Sequence, residues 1–252
     1  MKSAVIALSL LLLAAPALGQ SSTPQPEPPM RDQPCTPESA ARYDPASDWP
    51  WLCRYHAANQ GLPGGQADIV FIGDSITEFW GQAQPALFTG GIVNRGISGQ
   101  TSPQLLLRFM ADVVALKPRL VHLMIGTNDI AGNTGPSSPE DYKNNVRAMV
   151  TLAKANGIRV ILGSIPPADR MSWRPGLAPA PRIAELNQWL RQFAVEQGLT
   201  YADYHAALAE PSGAMRSAFT QDGVHPGIAG YAAMEPVMRA ALATALELEQ
   251  GR

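Results

Sequence analysis

Residues 67–80 read ADIVFIGDSITEFW. Ile69–Ile72 form an unbroken apolar run, mostly β-branched, that stops at Gly73-Asp74-Ser75. The run reads as a buried strand, ADIVFIG (67–73), the first of the sheet. The serine at its end has three readings: a helix cap, a turn residue or a nucleophile. The last requires a base, a group that orients the base, and donors for a developing oxyanion, all supplied from elsewhere.

Outward from this strand the pattern alternates. GIVNRG (91–96), RLVHLMIG (119–126), IRVILGSI (158–165) and LTYADY (199–204) read as further strands. Between them lie helices. One starts at Ser102-Pro103, with the serine as N-cap, and runs to about Leu116 before Lys117-Pro118. Another starts at Ser138-Pro139-Glu140-Asp141, buries Tyr142, Val146, Met149, Val150 and Ala153, and is closed by Gly157. A third buries Ile183, Leu186, Leu190 and Phe193, and the last begins at Pro226. Ahead of the sheet, Asp48 is placed to cap a short helix ending at Gly61. Such alternation predicts an α/β fold, a three-layer α/β/α sandwich around a parallel sheet of about five strands. Sites in these sheets lie outside the carboxyl ends of the strands. Ser75, the segment IGTND (125–129) and the proline-rich loop 166–181 all fall on that edge.

The 252 residues, 46% hydrophobic, suit one domain with additions. A net charge of −2 gives no basic footprint for nucleic acid or an anionic membrane. Residues 1–19, MKSAVIALSLLLLAAPALG, have the lysine, the short apolar run and the small residues of a cleaved signal peptide, so no stable membrane anchor is expected. Residues 20–47, rich in proline and polar residues, predict a flexible or polyproline-like leader, and 48–252 the folded domain. The expected location is periplasmic or secreted. There, Cys35 and Cys53 are able to form one disulfide, contributing about 3 kcal/mol in the chain-entropy view.

A serine hydroxyl needs a base to become a nucleophile, and histidine is the natural one near neutral pH. Of the four histidines, His56 precedes the sheet and His122 lies inside a strand. His205 follows the fifth strand with Asp203 two residues before it, and His225 lies in QDGVHPG with Asp222 three residues before it. In a loop, three residues let a carboxylate fold back onto one imidazole nitrogen while the other faces the serine. Spacing favours Asp222/His225 modestly and leaves His205 in contention. For the oxyanion the candidates are the Ser75 N–H, the N–H of Gly99 in the glycine loop GISGQT (96–101), and the amide of Asn128. Gly99 is favoured because no side chain obstructs its N–H. Each element alone is more often a cap or a turn; the four occurring in order, at strand ends or in loops, carry the argument.

GDSIT (73–77), NRGISGQT (94–101), GTND (126–129) and DGVHP (222–226) together resemble the four sequence blocks of the SGNH hydrolases, also called GDSL esterases and lipases. The resemblance covers about residues 67–245. It implies Ser75 as nucleophile and oxyanion donor, Gly99 and Asn128 completing the oxyanion hole, His225 as base and Asp222 as its partner, on a flavodoxin-like sandwich. Ile76 stands where the family's name has leucine. Asp74 and Asp129 are expected to bond loop backbone; Asn94 and Arg95 are candidates for shaping the second loop, with salt pairing the plainer alternative for Arg95.

The chemistry implied is attack on an ester or thioester carbonyl through an acyl-Ser75 intermediate, without a metal or other cofactor. Trp173, Arg170 and Arg174 in the loop 166–181 are candidates for binding a small-molecule or carbohydrate ester. Lacking a long apolar run, that loop points to short acyl groups. A lysophospholipase or thioesterase, an acyltransferase to a sugar hydroxyl, and a non-catalytic binding module are the alternatives.

Overall fold

The computed structural model describes residues 35–250, with side chains through Glu247. The signal peptide expected at 1–19 and the leader residues 20–34 lie outside the described residues. Among the described residues five parallel strands form one sheet: β1 (Ile69–Gly73), β2 (Ile92–Gly96), β3 (Leu120–Met124), β4 (Arg159–Gly163) and β5 (Thr200–Ala202), in the order β2-β1-β3-β4-β5. This is the flavodoxin-like order. The chain reverses direction across the sheet at β1 and β3, so their carboxyl ends border the crevice where such folds bind ligands.

Helices cover both faces. In chain order they are α1 (Pro37–Ala41), α2 (His56–Gln60), α3 (Ser75–Ala83), α4 (Ser102–Asp112), α5 (Thr127–Ala131), α6 (Pro139–Ala155), α7 (Ala180–Gln197), α8 (Tyr204–Leu208) and α9 (Ile228–Gln250). Successive strand residues point to opposite faces, and the core divides accordingly. Val70, Ile72, Val121, Leu123, Val160 and Leu162 pack with α4, α6 and α7. Ile69, Phe71, Leu120, Met124 and Ile161 pack with α3, α8 and α9. His122 belongs to the second layer: fully buried, it stacks on Phe71 and bonds the Tyr204 hydroxyl at 2.7 Å. Desolvation pushes its pKa down to about 3, which keeps it neutral.

Three local expectations change. Residues 35–47, expected to belong to a flexible leader, are ordered. Thr36 and Ser39 form a capping box on α1, the Trp51 indole donates to the Ser39 carbonyl at 2.8 Å, and Cys35 is disulfide-bonded to Cys53. Tertiary anchors override the composition there. Asp48 does not cap a helix running to Gly61. Its carboxylate takes the N–H groups of Leu52 and Cys53 in a series of turns, and α2 starts only at His56. The N-cap of α4 is Thr101, boxed with Gln104, because Ser102 is committed elsewhere: its N–H and hydroxyl both donate to Asp129.

Candidate active site

Ser75 is the first residue of α3, presented where β1 ends. Asp74 is the N-cap, accepting the Ile76 N–H at 3.0 Å. The first N–H groups of a helix have no carbonyl four residues back to bond, so the Ser75 N–H is available at the sheet edge. The Ser75 Oγ lies 2.9 Å from His225 Nε2. On the other side of the ring, His225 Nδ1 lies 2.7 Å from Asp222 Oδ2. A carboxylate only accepts, so Nδ1 carries the proton and Nε2 presents a lone pair to the serine hydroxyl.

The loop holding this pair is built locally. Asp222 Oδ1 accepts the N–H groups of Val224 at 2.9 Å and His225 at 2.8 Å, and Thr220 Oγ1 accepts the Gly223 N–H at 3.0 Å. Burial works to raise the Asp222 carboxyl, but the bonds from the His225 ring and from the two backbone N–H groups outweigh it and hold its pKa at about 2. The ring is flanked by Phe79, with centroids 5.4 Å apart, and by Trp173 at 6.4 Å.

Gly99 stands on the loop after β2, and Asn128 in the first turn of α5. Gly99 has a backbone reason to be glycine beside the access expected for its N–H. A Cβ there would meet nothing within 4 Å, but the backbone has φ +79°, the left-handed region. Asn128, 4% exposed, donates one amide hydrogen to the Gln100 carbonyl at 3.0 Å and keeps a second. Buried polar bonds brace this edge. Arg108, fully buried, donates to the Gly73 carbonyl at 3.0 Å, to Gln100 Oε1 at 2.6 Å and to Asp112 at 3.0 Å. Burial, aided by the Asp129 charge, raises Asp74 to about 7, and burial raises Asp129 to about 6.

The competing pair is disengaged. Asp203 caps α8 through the Ala206 N–H and pairs with Arg191, while the His205 N–H donates to Ser164 Oγ. Of the two readings for Arg95, salt pairing is not the one seen among the described residues: it donates to Asn59 Oδ1 and the Asn94 carbonyl and lies over the Tyr55 ring. Burial lowers the pKa of its guanidinium, opposed by the nearby Asp112 charge, while the Asp112 carboxylate itself is bonded by Arg108 and Asn59. Of the three loop residues put forward for binding, Trp173 is exposed beside His225. Arg174 is spent on the Gly132 carbonyl at 2.7 Å. Arg170 is exposed and near Asp169. The sequence reading missed Phe79, although its place four residues after Ser75 on a helix puts the two on one face. It also missed Arg108 and Asn133, whose contacts no local pattern reveals.

The family model for the GDSL-like lipase/acylhydrolase family matches residues 71–233. The chain belongs to the GDSL-like lipase/acylhydrolase family. It is accordingly a carboxylic ester hydrolase. Among the relatives of this GDSL acylhydrolase, the acetylxylan esterase of Geobacillus stearothermophilus is 30% identical over 204 residues, 67% of this chain and 90% of that protein. Esterase TesA of Pseudomonas aeruginosa is 30% identical over 142 residues, 55% and 62% of the two chains. Among solved structures, a GDSL-like lipase from Bacteroides thetaiotaomicron superposes with a TM-score of 0.73 at 39% identity, covering 77% of this chain and 98% of that one.

Proposed function

We propose that the protein is a serine esterase that cleaves short-chain carboxylic esters through an acyl-Ser75 intermediate. The observation that carries this is the continuous contact from Ser75 Oγ through the His225 ring to Asp222. His225 Nε2 takes the hydroxyl proton as Ser75 Oγ attacks the carbonyl carbon. The carbonyl oxygen becomes an oxyanion, received by the N–H groups of Ser75 and Gly99 and by the Asn128 amide. As the carbon–oxygen bond to the alcohol breaks, His225 returns the proton to the leaving oxygen. Water then attacks the acyl-enzyme with His225 again as base, releasing the acid and Ser75. Asp222, held anionic over the working pH range, fixes the ring and stabilises its protonated form.

The preferred substrate on this reading is an O-acetylated carbohydrate. It is supported by the similarity to an acetylxylan esterase and by the exposed Trp173 beside His225, a flat apolar face of the kind that sugar rings stack on. The remaining extent of the reading is a signal peptide at 1–19 and an extracytoplasmic, periplasmic or secreted, location, with which the Cys35–Cys53 disulfide is compatible. Among the described residues no helix is long and apolar enough to cross a membrane.

The test uses purified protein with p-nitrophenyl acetate, p-nitrophenyl esters of longer chains, acetylated xylo-oligosaccharides and a lysophospholipid. Acetyl release from the oligosaccharides, a rate that declines with chain length, and complete loss in Ser75→Ala are expected. A preference for long chains or the lysophospholipid overturns the substrate assignment. Turnover retained by Ser75→Ala, or no labelling by a serine-directed phosphonate, overturns the mechanism.

A further inference from the structure

Asn128 is useful as an oxyanion donor only if its amide is the right way round, with NH₂ rather than oxygen facing the substrate. A chain of hydrogen bonds with single-role groups at both ends decides this. At one end the Gln100 carbonyl, which only accepts, takes Asn128 Nδ2 at 3.0 Å. Asn128 Oδ1 then faces the other way and accepts Asn133 Nδ2 at 2.7 Å. That leaves Asn133 Oδ1 to accept the Trp173 indole N–H, which only donates, at 3.0 Å.

The backbone brings the two asparagines together. Helix α5 ends at Gly132, with φ +64°, in a Schellman motif. The Gly132 N–H bonds the Asp129 carbonyl at 3.0 Å and the Asn133 N–H bonds the Asn128 carbonyl at 3.1 Å. This turn doubles the chain back so that the Asn133 side chain reaches that of Asn128. The bonds from Trp173 to Asn133 and from Arg174 to the Gly132 carbonyl tie the proline-rich loop to the same turn.

We propose that Asn133 is a positioning residue: it holds the Asn128 amide with its donor towards the substrate's carbonyl oxygen and links that orientation to Trp173. The inference rests on the reading of Asn128 as an oxyanion donor. It makes an unusual ordering of variants. Asn133→Asp is nearly isosteric and still accepts the Trp173 N–H, so a packing role predicts that it is milder than Asn133→Ala. A positioning role predicts the reverse. Two oxygens cannot face each other: the new carboxylate opposes Asn128 Oδ1 as it stands, and the Gln100 carbonyl opposes the turned-over amide, so neither orientation is satisfied and the donor is lost from its place before the developing oxyanion.

The experiment measures kcat, KM and thermal midpoint for wild type, Asn128→Ala, Asn133→Ala and Asn133→Asp on p-nitrophenyl acetate. Losing a single oxyanion donor lowers kcat by about 10²–10³-fold. Asn133→Asp is expected to approach that loss, and Asn133→Ala to lose roughly 3–10-fold, a fraction of it, both with KM little changed. An Asn133→Asp variant no worse than Asn133→Ala, or a loss confined to KM, overturns the inference. If Asn128→Ala is crippled while Asn133→Asp is mild, the inference alone fails. If Asn128→Ala keeps full kcat, the oxyanion reading fails and the inference with it. Should Asn133→Asp not fold, an Asn133→Ala enzyme with wild-type kcat overturns the inference by itself.

Discussion

The serine side of the Ser75–His225 contact is braced by bonds between residues far apart in the chain, the histidine side by bonds between near neighbours. Arg108 joins the Gly73 carbonyl to Gln100, Gln100 reaches the Pro50 carbonyl, Asp129 holds Ser102, and Glu78 accepts the Ser98 N–H. Ser75 and Asn128 are buried within this frame. On the other side, Asp222 is bonded by Val224 and His225, two and three residues on, and its side chain is 46% exposed. A network that crosses the fold cannot be cut without loosening the fold. A short loop can lose its chemistry and keep its shape. The serine side should therefore couple activity to stability, and the histidine side should separate them.

The largest expected effect breaks the loop side. His225→Ala should lower kcat by about 10⁴-fold or more with the thermal midpoint almost unchanged, and Asp222→Asn should be similarly severe through the wrong tautomer. His205→Ala, whose ring stands apart from the Ser75–His225–Asp222 contact, should stay within a few-fold of wild type. Steady-state kinetics beside a thermal melt decide it, and the opposite ranking of the two histidines would remove His225 from the mechanism.

Next in size is a cut on the serine side. Arg108→Met leaves Asp112 buried without its ion-pair partner, with a hydrogen bond from the Asn59 amide and the more distant Arg95 charge. Removing one partner of a buried ion pair costs about 3–5 kcal/mol, which urea denaturation should register. The Gly73 and Gln100 contacts go with it, so residual kcat should fall too. Equal stability for Arg108→Met and Asp222→Asn would erase the distinction between the two sides.

The same distinction marks what was legible in the sequence. The inner strands were visible because a sheet covered on both faces demands largely apolar runs, and the edge strands β2 and β5 by their place in the alternation. Only their ends were overdrawn, as at 158–165, where β4 is Arg159–Gly163. Ser75, Gly99, Asn128, Asp222 and His225 were legible as candidates through the joint pattern of four short blocks. The brace behind them was not. Arg108 looked like one more helix residue, and Asn133 acquires a role only through Trp173, 40 residues away. Asp203 and His205 stayed open because spacing cannot show that Arg191 takes the carboxylate. The order in residues 35–47 was hidden for a similar reason: composition reports what a segment lacks, not what a disulfide and the Trp51 indole hold in place.

The smallest effect is one of sign. Burial raises the folded pKa of Asp74 from 3.8 to about 7. Between those values the folded protein binds a proton that the unfolded chain has released, so Asp74 favours folding less as pH rises through the window and no further above it. Asp129, raised from 3.8 to about 6, acts in the same direction over a narrower span. Asp222 acts oppositely and lower down: its folded pKa is depressed to about 2, so its contribution is present above 3.8 and lost as pH falls below that. Exposure to solvent screening keeps it small. Asp74→Asn retains an oxygen to accept the Ile76 N–H and cannot ionise. The difference in urea midpoint between Asp74→Asn and wild type should therefore move in favour of the variant as pH rises from about 4 to about 7. Asp222→Asn should show no such drift there. A difference that stays flat for Asp74→Asn would mean that its carboxylate is ionised at little cost within the fold, and the buried frame behind Ser75 would then be more polar than its packing indicates.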